Sequence, residues 1–131
     1  MYKERGVEMK HKKEQIEEIR NLLLSRELAD RVLSSTKTKG KYYLVLNVAR
    51  DTLNPKGERN IIYIALFGNY DIWVMPEDVF YGSRRVDEIN YPMFDYAIED
   101  DEAMDAILSW YDYNKERNNL GDNDDNLKRS W

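Results

Sequence analysis

The 131-residue chain has no cysteine, one histidine and three prolines. Without cysteine there is no disulfide and no thiolate nucleophile or ligand, and one histidine cannot supply an imidazole-based metal triad. The longest apolar run, residues 61–67, is far shorter than the roughly 20 residues of a membrane-spanning helix. Because no charged-then-apolar segment stands at the N-terminus, we expect no secretory signal. We therefore expect a cytoplasmic protein with no membrane span, no metal site and no cofactor.

Apolar residues make up 42% of the chain and charged residues 34%, a balance typical of a single soluble domain. We expect that domain at residues 13–114, between a flexible extension (residues 1–12) and a mobile polar tail (residues 115–131). His11 falls in the extension and is expected to be a surface side chain. Residues just before Met9 can be encoded by a sequence similar to a bacterial ribosome-binding site. Translation is therefore expected to start at Met9, in a Gram-positive bacterium or its phage.

Hydrophobic periodicity predicts an α+β fold with an N-terminal helix, a three-stranded antiparallel β-meander and a C-terminal acidic amphipathic helix. Apolar residues at helical spacing predict the first helix over residues 11–34, with a bend near Ser25, which could cap a second short helix. Alternating and β-branched residues, separated by turn signals, predict strands at residues 42–49, 60–67 and 71–75. The second strand is apolar on both faces and is expected to be covered on both sides.

The remaining segments are predicted as a short helix after residue 76, a loop over residues 83–90, a strand or helix at 92–98, and the acidic helix at 100–114. The acidic helix begins with carboxylates, which the helix dipole favours there. On the first strand, alternation places four apolar side chains on one face: Tyr42, Leu44, Leu46 and Val48.

Charge is distributed unevenly along the chain. Residues 1–59 carry 14 Lys and Arg against 9 Asp and Glu, whereas residues 60–131 carry 6 against 16. Within the second half, residues 86–114 contain nine acids and no Lys or Arg. Such a block repels itself unless a partner or counter-ions offset it. Two interpretations stay open: a solvated helix face, and a surface that binds a basic partner.

No motif for catalysis is present. Gly40 and Lys41 lack the preceding glycines of a phosphate-binding loop, and residues 61–67 lack the acid and lysine of a hairpin nuclease. The alternating polar residues at 122–126 lack the glycine and final acid of a calcium loop. We therefore expect a protein that is not an enzyme.

The acidic block also contains tyrosines and a tryptophan, and these residue types are enriched in recognition surfaces. This combination predicts a non-catalytic inhibitor or adaptor that docks on the basic, nucleic-acid-binding surface of a partner protein, imitating nucleic-acid charge. In size and charge, though in no motif, the chain resembles phage-encoded acidic inhibitors of bacterial defence nucleases, including anti-CRISPR proteins. We expect no direct binding to double-stranded DNA. The predicted partner-binding residues are Asp95, Glu99, Asp100, Asp101, Glu102, Asp105, Trp110, Asp112 and Tyr113.

A second hypothesis places a small ligand or nucleotide on the basic, tyrosine-rich hairpin, in a protein that could be oligomeric. Cations beside aromatics on a sheet can bind phosphate and stack on a base. The residues predicted for this site are Lys41, Tyr43, Arg50, Arg84 and Arg85.

Under the first hypothesis, reversing four acids (Asp100, Asp101, Glu102 and Asp105) to lysine is expected to abolish partner binding and leave the fold intact.

Overall fold

A computed structural model describes residues 3–4 and 7–120 of the chain. In chain order its elements are β1 (Lys3–Glu4), β2 (Val7–Glu8), α1 (Lys13–Ser25), a 3₁₀ turn (Ala29–Arg31), β3 (Val32–Ser35), β4 (Tyr42–Ala49), β5 (Asn60–Ala65), β6 (Ile72–Pro76), α2 (Glu77–Phe80), β7 (Ser83–Val86), β8 (Ile89–Pro92), β9 (Phe94–Tyr96) and α3 (Asp101–Leu120).

The predicted α+β class is confirmed, and the sheet is larger than the predicted meander. Five antiparallel strands form the main sheet in the order β6-β5-β4-β3-β9. The three predicted strands are its β4, β5 and β6, and two further strands extend the sheet beyond β4. The hairpins β1-β2 and β7-β8 form two separate small sheets.

The first helix is shorter than predicted, and Ser25 ends it instead of capping a second one. The Ser25 hydroxyl donates to the carbonyl of Leu22 at 2.8 Å. Glu27 then adopts a left-handed φ of 58°, and the N–H of Leu28 donates to the carbonyl of Leu23 at 2.9 Å. Helices commonly end on such a left-handed residue, which is usually glycine. Because a glutamate occupies the position here, the sequence carries no stop signal.

Residues 32–35 form a strand, where the sequence predicted the end of the helix. Val32 packs in the cluster beneath the helices, while Leu33 packs in the cluster on the other side of the sheet. Consecutive residues that point to opposite sides are characteristic of a strand. β3 is only four residues long, so its two adjacent apolar residues fit the period of a helix as well as that of a strand.

A β-bulge in β4 changes the predicted pattern of its faces. The register shifts between Val45 and Asn47, which leaves Leu46 as an extra residue. Beyond the bulge, Val48 pairs with Ile61, a residue of the cluster opposite the helices. The predicted common face is therefore wrong for Val48, although it holds for the residues up to the bulge.

The segment predicted as a loop at residues 83–90 belongs to the β7-β8 hairpin. Its turn is formed by Asp87 and Glu88, with φ angles of 51° and 65°. Two-residue turns with both φ angles positive normally use Asn-Gly or Asp-Gly, so two acids gave no hairpin signal. The ambiguous segment at 92–98 contains β9, which pairs with β3 at the edge of the main sheet.

The core has two parts, one on each face of the sheet. Helices α1 and α3 cover one face, which we call the helix-covered face; the buried cluster there comprises Ile16, Leu23, Val32, Tyr42, Ile64, Leu66, Ala97, Ala103, Met104 and Ile107. The opposite face, which we call the open face, is partly covered by α2; its cluster comprises Leu33, Val45, Ile61, Tyr63 and Phe80. β5 contributes to both clusters, as predicted.

The folded part extends past both predicted limits of the domain. Met9 is buried although it falls in the predicted extension. α3 continues to Leu120, beyond the limit predicted at residue 114, and residues 121–131 of the predicted tail lie outside the described part of the chain. No helix in that described part is both long and apolar enough to span a bilayer.

Candidate functional site

Most of the acids predicted to bind a partner make contacts within the protein. The carboxylate of Asp100 accepts a hydrogen bond from the Tyr42 hydroxyl at 2.7 Å. Asp101 forms an ion pair with Arg20, and Asp105 binds the segment before α1. These contacts join α3 and the turn before it to β4, to α1 and to the N-terminal segment.

Arg20 is the buried cation of this network, with only 6% of the residue exposed. Its Nε donates to the carbonyl of Ile98 at 2.8 Å, and its Nη1 donates to the Glu17 carboxylate at 2.6 Å. Burial alone would lower the pKa of Arg20, but the hydrogen bonds to Asp101 and Glu17 outweigh burial and raise it. Removing one partner of such a buried guanidinium is strongly destabilising, because it leaves buried charge uncompensated.

His11 is not a free surface side chain, so that prediction is wrong. Its Nδ1 lies 2.7 Å from Asp105 Oδ1, and its Nε2 lies 2.7 Å from Asp112 Oδ2. The backbone N–H groups of Lys10 and His11 also donate to Asp105, at 3.1 and 3.0 Å. Burial lowers the pKa of His11, but the hydrogen bonds to Asp112 and Asp105 outweigh it, so the pKa is raised. When it is protonated, the ring bridges Asp105 and Asp112, which lie about two turns apart on α3.

The predicted partner-binding residues differ in exposure. Asp95 and Glu99 are exposed, whereas Glu102 is half-buried near the Tyr42 hydroxyl. Trp110 packs against the core beneath the helices, and the Tyr113 ring contacts the Tyr70 ring in a tilted arrangement, at 4.9 Å between centroids. The acidic block is thus explained largely by internal structure.

A polar cavity of about 470 Å³ on the β3–β4 side brings together three of these acids, Asp95, Asp100 and Glu102, with Lys39. Burial, followed by the Asp100 hydrogen bond, raises the pKa of Tyr42, so its hydroxyl remains a donor at neutral pH. Among the described residues, no group of three or more His, Cys, Asp or Glu is placed to hold a metal ion. The cavity mixes both signs of charge and favours no single class of ligand.

The open face of the sheet carries a second cavity, of about 460 Å³, which is lined mainly by rings. We call it the aromatic pocket and define it by Tyr43 of β4, Tyr63 of β5, Phe67 of the β5–β6 turn and Trp73 of β6. The ring centroid of Tyr43 lies 5.8 Å from that of Tyr63 and 5.5 Å from that of Phe67, in edge-to-face geometry. Tyr63 is buried, whereas Trp73 is 53% exposed, so Trp73 offers the most ring surface to a ligand.

Strand register explains why these rings meet. Tyr63 pairs with both Val45 and Trp73, so these three side chains lie in one row on the open face. Tyr43 is two residues before Val45 and shares its face. Burial raises the pKa of both Tyr43 and Tyr63, so both phenols are neutral near pH 7.

The rim of the aromatic pocket carries one basic and one acidic side chain. The Lys41 ammonium lies 4.1 Å from the centroid of the Phe67 ring, in cation–π contact, on the side where β4 begins. Asp71, just before β6, also lines the pocket. A ligand with one anionic end would therefore be favoured with that end toward Lys41.

The structure brings together only part of the predicted basic site. Lys41 and Arg50 lie at opposite ends of β4, about 30 Å apart at strand rise, and Arg50 donates to the carbonyl of Gly57 in the β4–β5 loop. Arg85 is on β7 and does not line the pocket; the side chain of Arg84 lies outside the described part of the structure. Of the predicted residues, the pocket therefore includes Tyr43, with Lys41 at its rim.

Sequence reasoning missed Tyr63, Phe67 and Trp73. The signal that could have found two of them was the alternation in the second and third strands. Once these strands are paired as a hairpin with the observed register, Tyr63 and Trp73 lie opposite each other. Phe67 lies in the turn, where no periodicity applies.

One family model matches the segment of the chain that contains the aromatic pocket. Residues 38–96 match the family described as Protein of unknown function (DUF1653). No curated protein and no solved structure matches the chain. The matched segment includes Lys41 and every residue of the aromatic pocket, whereas α1 and α3 lie outside it. The family description assigns no activity, so the function must be argued from the geometry.

Proposed function

We propose that this protein is a non-catalytic binding protein whose aromatic pocket takes a base of a nucleotide or a single-stranded nucleic acid. The observation that carries the proposal is the open cluster of rings on the sheet, with the Lys41 ammonium held at its rim. The base stacks on the exposed ring surface, and its phosphate lies toward Lys41.

General physical chemistry supports this ligand class. Stacking of a base on an aromatic side chain contributes about 1–3 kcal/mol and tolerates any base. The neutral phenols of Tyr43 and Tyr63 offer hydroxyls without adding negative charge near a phosphate. The net charge of −5 opposes long nucleic acid and opposes a short ligand less. We therefore expect modest affinity that falls as salt is added.

Two features favour this site over the acidic surface. Asp100, Asp101, Asp105 and Asp112 are held by internal hydrogen bonds, so binding a partner through them would compete with the fold. The family match covers the whole aromatic pocket and none of α3.

Tryptophan fluorescence provides a direct test. In a background with Trp110→Phe and Trp131→Phe, Trp73 is the single tryptophan, and it lines the pocket. Titration with a short oligothymidylate and with thymidine monophosphate should quench it saturably. Phe67→Leu should weaken oligothymidylate binding roughly tenfold, in line with the loss of about one stacking contact. Lys41→Gln should weaken binding and reduce its dependence on salt.

Matched controls separate the pocket from general surface effects. Tyr111→Leu removes an exposed ring on α3, and Lys56→Gln removes an exposed cation in the β4–β5 loop. Neither should change the affinity. If oligothymidylate does not quench Trp73, or if the controls weaken binding as much as the pocket variants do, the proposed function is wrong.

A second candidate function is the inhibitor or adaptor that docks on a basic, nucleic-acid-binding protein. It is supported by the absence of Lys and Arg from residues 86–114, and within that block by the exposure of Asp95 and Glu99. Its test is capture of a basic partner from bacterial lysate at low salt by the wild-type protein. Loss of that capture in an Asp95→Lys/Glu99→Lys variant would support it, and unchanged capture would exclude these acids.

A further inference from the structure

β6 forms one edge of the main sheet, and its side chains are unusually apolar for such a position. Ile72, Trp73 and Val74 are 61%, 53% and 65% exposed. Within the described residues, β6 pairs with β5 and with no other strand. A flat, apolar edge strand is a template for pairing with another strand, and proteins usually protect such edges with charge, bulges or proline.

The backbone hydrogen bonds at both ends of β6 fix which of its residues point outward. The carbonyl of Asp71 accepts from the N–H of Ala65 at 3.0 Å, and the N–H of Glu77 donates to the carbonyl of Arg59 at 2.9 Å. In an antiparallel ladder, alternate residues bond to the same neighbour. The odd-numbered residues of β6 therefore bond to β5, and the backbone groups of Ile72, Val74 and Pro76 point to the open edge.

We propose that two copies of this chain pair along β6, antiparallel, about a two-fold axis at Trp73. In this register Ile72 lies opposite the partner's Val74, and Val74 lies opposite the partner's Ile72. Both residues have outward N–H and C=O groups, so each of these two pairs exchanges both of its hydrogen bonds. A two-fold axis at Val74 would instead place Ile72 opposite Pro76, which has no N–H to donate.

The side chains fit the same register. Trp73 lies opposite the partner's Trp73 in a non-hydrogen-bonded pair, where side chains are closest and aromatic pairs are favourable. Asp71 lies opposite the partner's Met75, so no acid is placed directly opposite another acid. A second copy therefore satisfies the edge by the symmetry usual for homodimers, in which one patch binds its own image. The inference goes beyond the proposed function: the two aromatic pockets would lie side by side on one continuous sheet.

Cysteine cross-linking tests the axis directly, because the chain contains no cysteine of its own. At the axis, the two Cα atoms are expected to lie about 4.5 Å apart, which is within the range a disulfide spans. In a Trp73→Cys variant, mild oxidation should therefore give a disulfide-linked dimer on a non-reducing gel. Val74→Cys changes a neighbouring residue of similar exposure, but its Cα lies one residue from the axis, so the two copies are two residues apart along the strands, too far for a disulfide. It should stay largely uncross-linked.

The mass of the wild-type protein in solution provides the second measurement. Light scattering on a size-exclusion column should give twice the monomer mass at high protein concentration. Val74→Lys, which puts a charge on the edge, should give the monomer mass, whereas Leu53→Lys, at a 92% exposed apolar residue elsewhere, should remain a dimer. A monomeric wild-type protein, or equal cross-linking of the two cysteine variants, would overturn the proposal. Neither measurement includes a ligand, so failure here leaves the proposed function untouched.

Discussion

Asp105 accepts hydrogen bonds from three groups of the N-terminal segment: the N–H of Lys10, the N–H of His11 and the ring of His11. Together with Asp101, which pairs with Arg20, it fixes the segment before α1 and α1 itself to α3. These carboxylates contribute to the stability of the fold. From the sequence, we expected the fold to stay intact when these carboxylates are reversed to lysine. The contacts in the structure predict instead that the reversal destabilises the fold.

An Asp101→Lys/Asp105→Lys variant should lose about 3–5 kcal/mol of unfolding free energy or fail to fold, because it leaves Arg20 without its main partner and adds like charge beside it. The matched control is Asp95→Lys/Glu99→Lys, which changes the net charge equally at exposed positions. It should stay within about 0.5 kcal/mol of wild type. Urea denaturation followed by circular dichroism compares them, and equal losses in the two variants would contradict this role of the carboxylates.

His11 gives the protein a pH-dependent contribution to stability. Because its pKa is raised above 6.5 in the folded state, this contribution is fully present below about pH 6.5 and is lost as the pH rises through the folded-state pKa. His11 is the single histidine, so its ring signals in proton NMR report the pKa without assignment. We expect a midpoint above 6.5 in the folded protein, a return toward 6.5 in concentrated urea, and a lower folded-state midpoint in Asp112→Asn. A folded-state midpoint at or below 6.5 would contradict the bridge.

At the scale of elements, β5 contributes to both halves of the core, and its residues differ sharply in burial from those of its neighbour β6. Ile64 of β5 is fully buried under the helices, while Ile72, its cross-strand partner on β6, is exposed. Ile64→Ala should cost about 2–5 kcal/mol of unfolding free energy. Ile72→Ala deletes the same atoms and should cost well under 1 kcal/mol in the monomer. Similar losses at the two positions, measured at a protein concentration low enough to favour the monomer, would show that β6 is covered.

Much of the architecture could be predicted from the sequence, since long and strongly periodic segments determine it. The strands β4, β5 and β6 and the helix α3 follow from alternation and helical spacing. What could not be predicted depends on residues in conformations that their types rarely adopt. Glu27 ends α1 with a positive φ, and Asp87 and Glu88 form a hairpin turn without glycine or asparagine. The bulge at Leu46 depends on tertiary register, which one strand alone does not show.

The same distinction applies to the candidate site. Lys41 and Tyr43 were predicted because they are close in sequence at the start of a clear strand. Trp73 and Tyr63 join them only through pairing between strands. The internal contacts of the α3 acids could not be predicted for the converse reason: their partners, Arg20 and His11, are about 80 to 100 residues away in sequence.

At the scale of the whole molecule, the uneven charge of the sequence is partly compensated in space. The basic first half supplies Arg20 and His11, and the acidic second half supplies Asp101, Asp105 and Asp112, which pair with them. These pairs join α1 and the N-terminal segment to α3 on the helix-covered face. The open face carries the exposed Trp73 ring and, at the rim of the aromatic pocket, the Lys41 ammonium, and these features support the proposed binding function.

The measurement that tests this account most directly is a backbone amide NMR titration of the isotope-labelled protein with a short oligothymidylate. The account predicts saturable shifts concentrated at Lys41, Tyr43, Phe67 and Trp73, with α3 unaffected. Shifts confined to residues 95–112, or no shifts at millimolar ligand, would contradict the claim that the open face of the sheet is the binding surface.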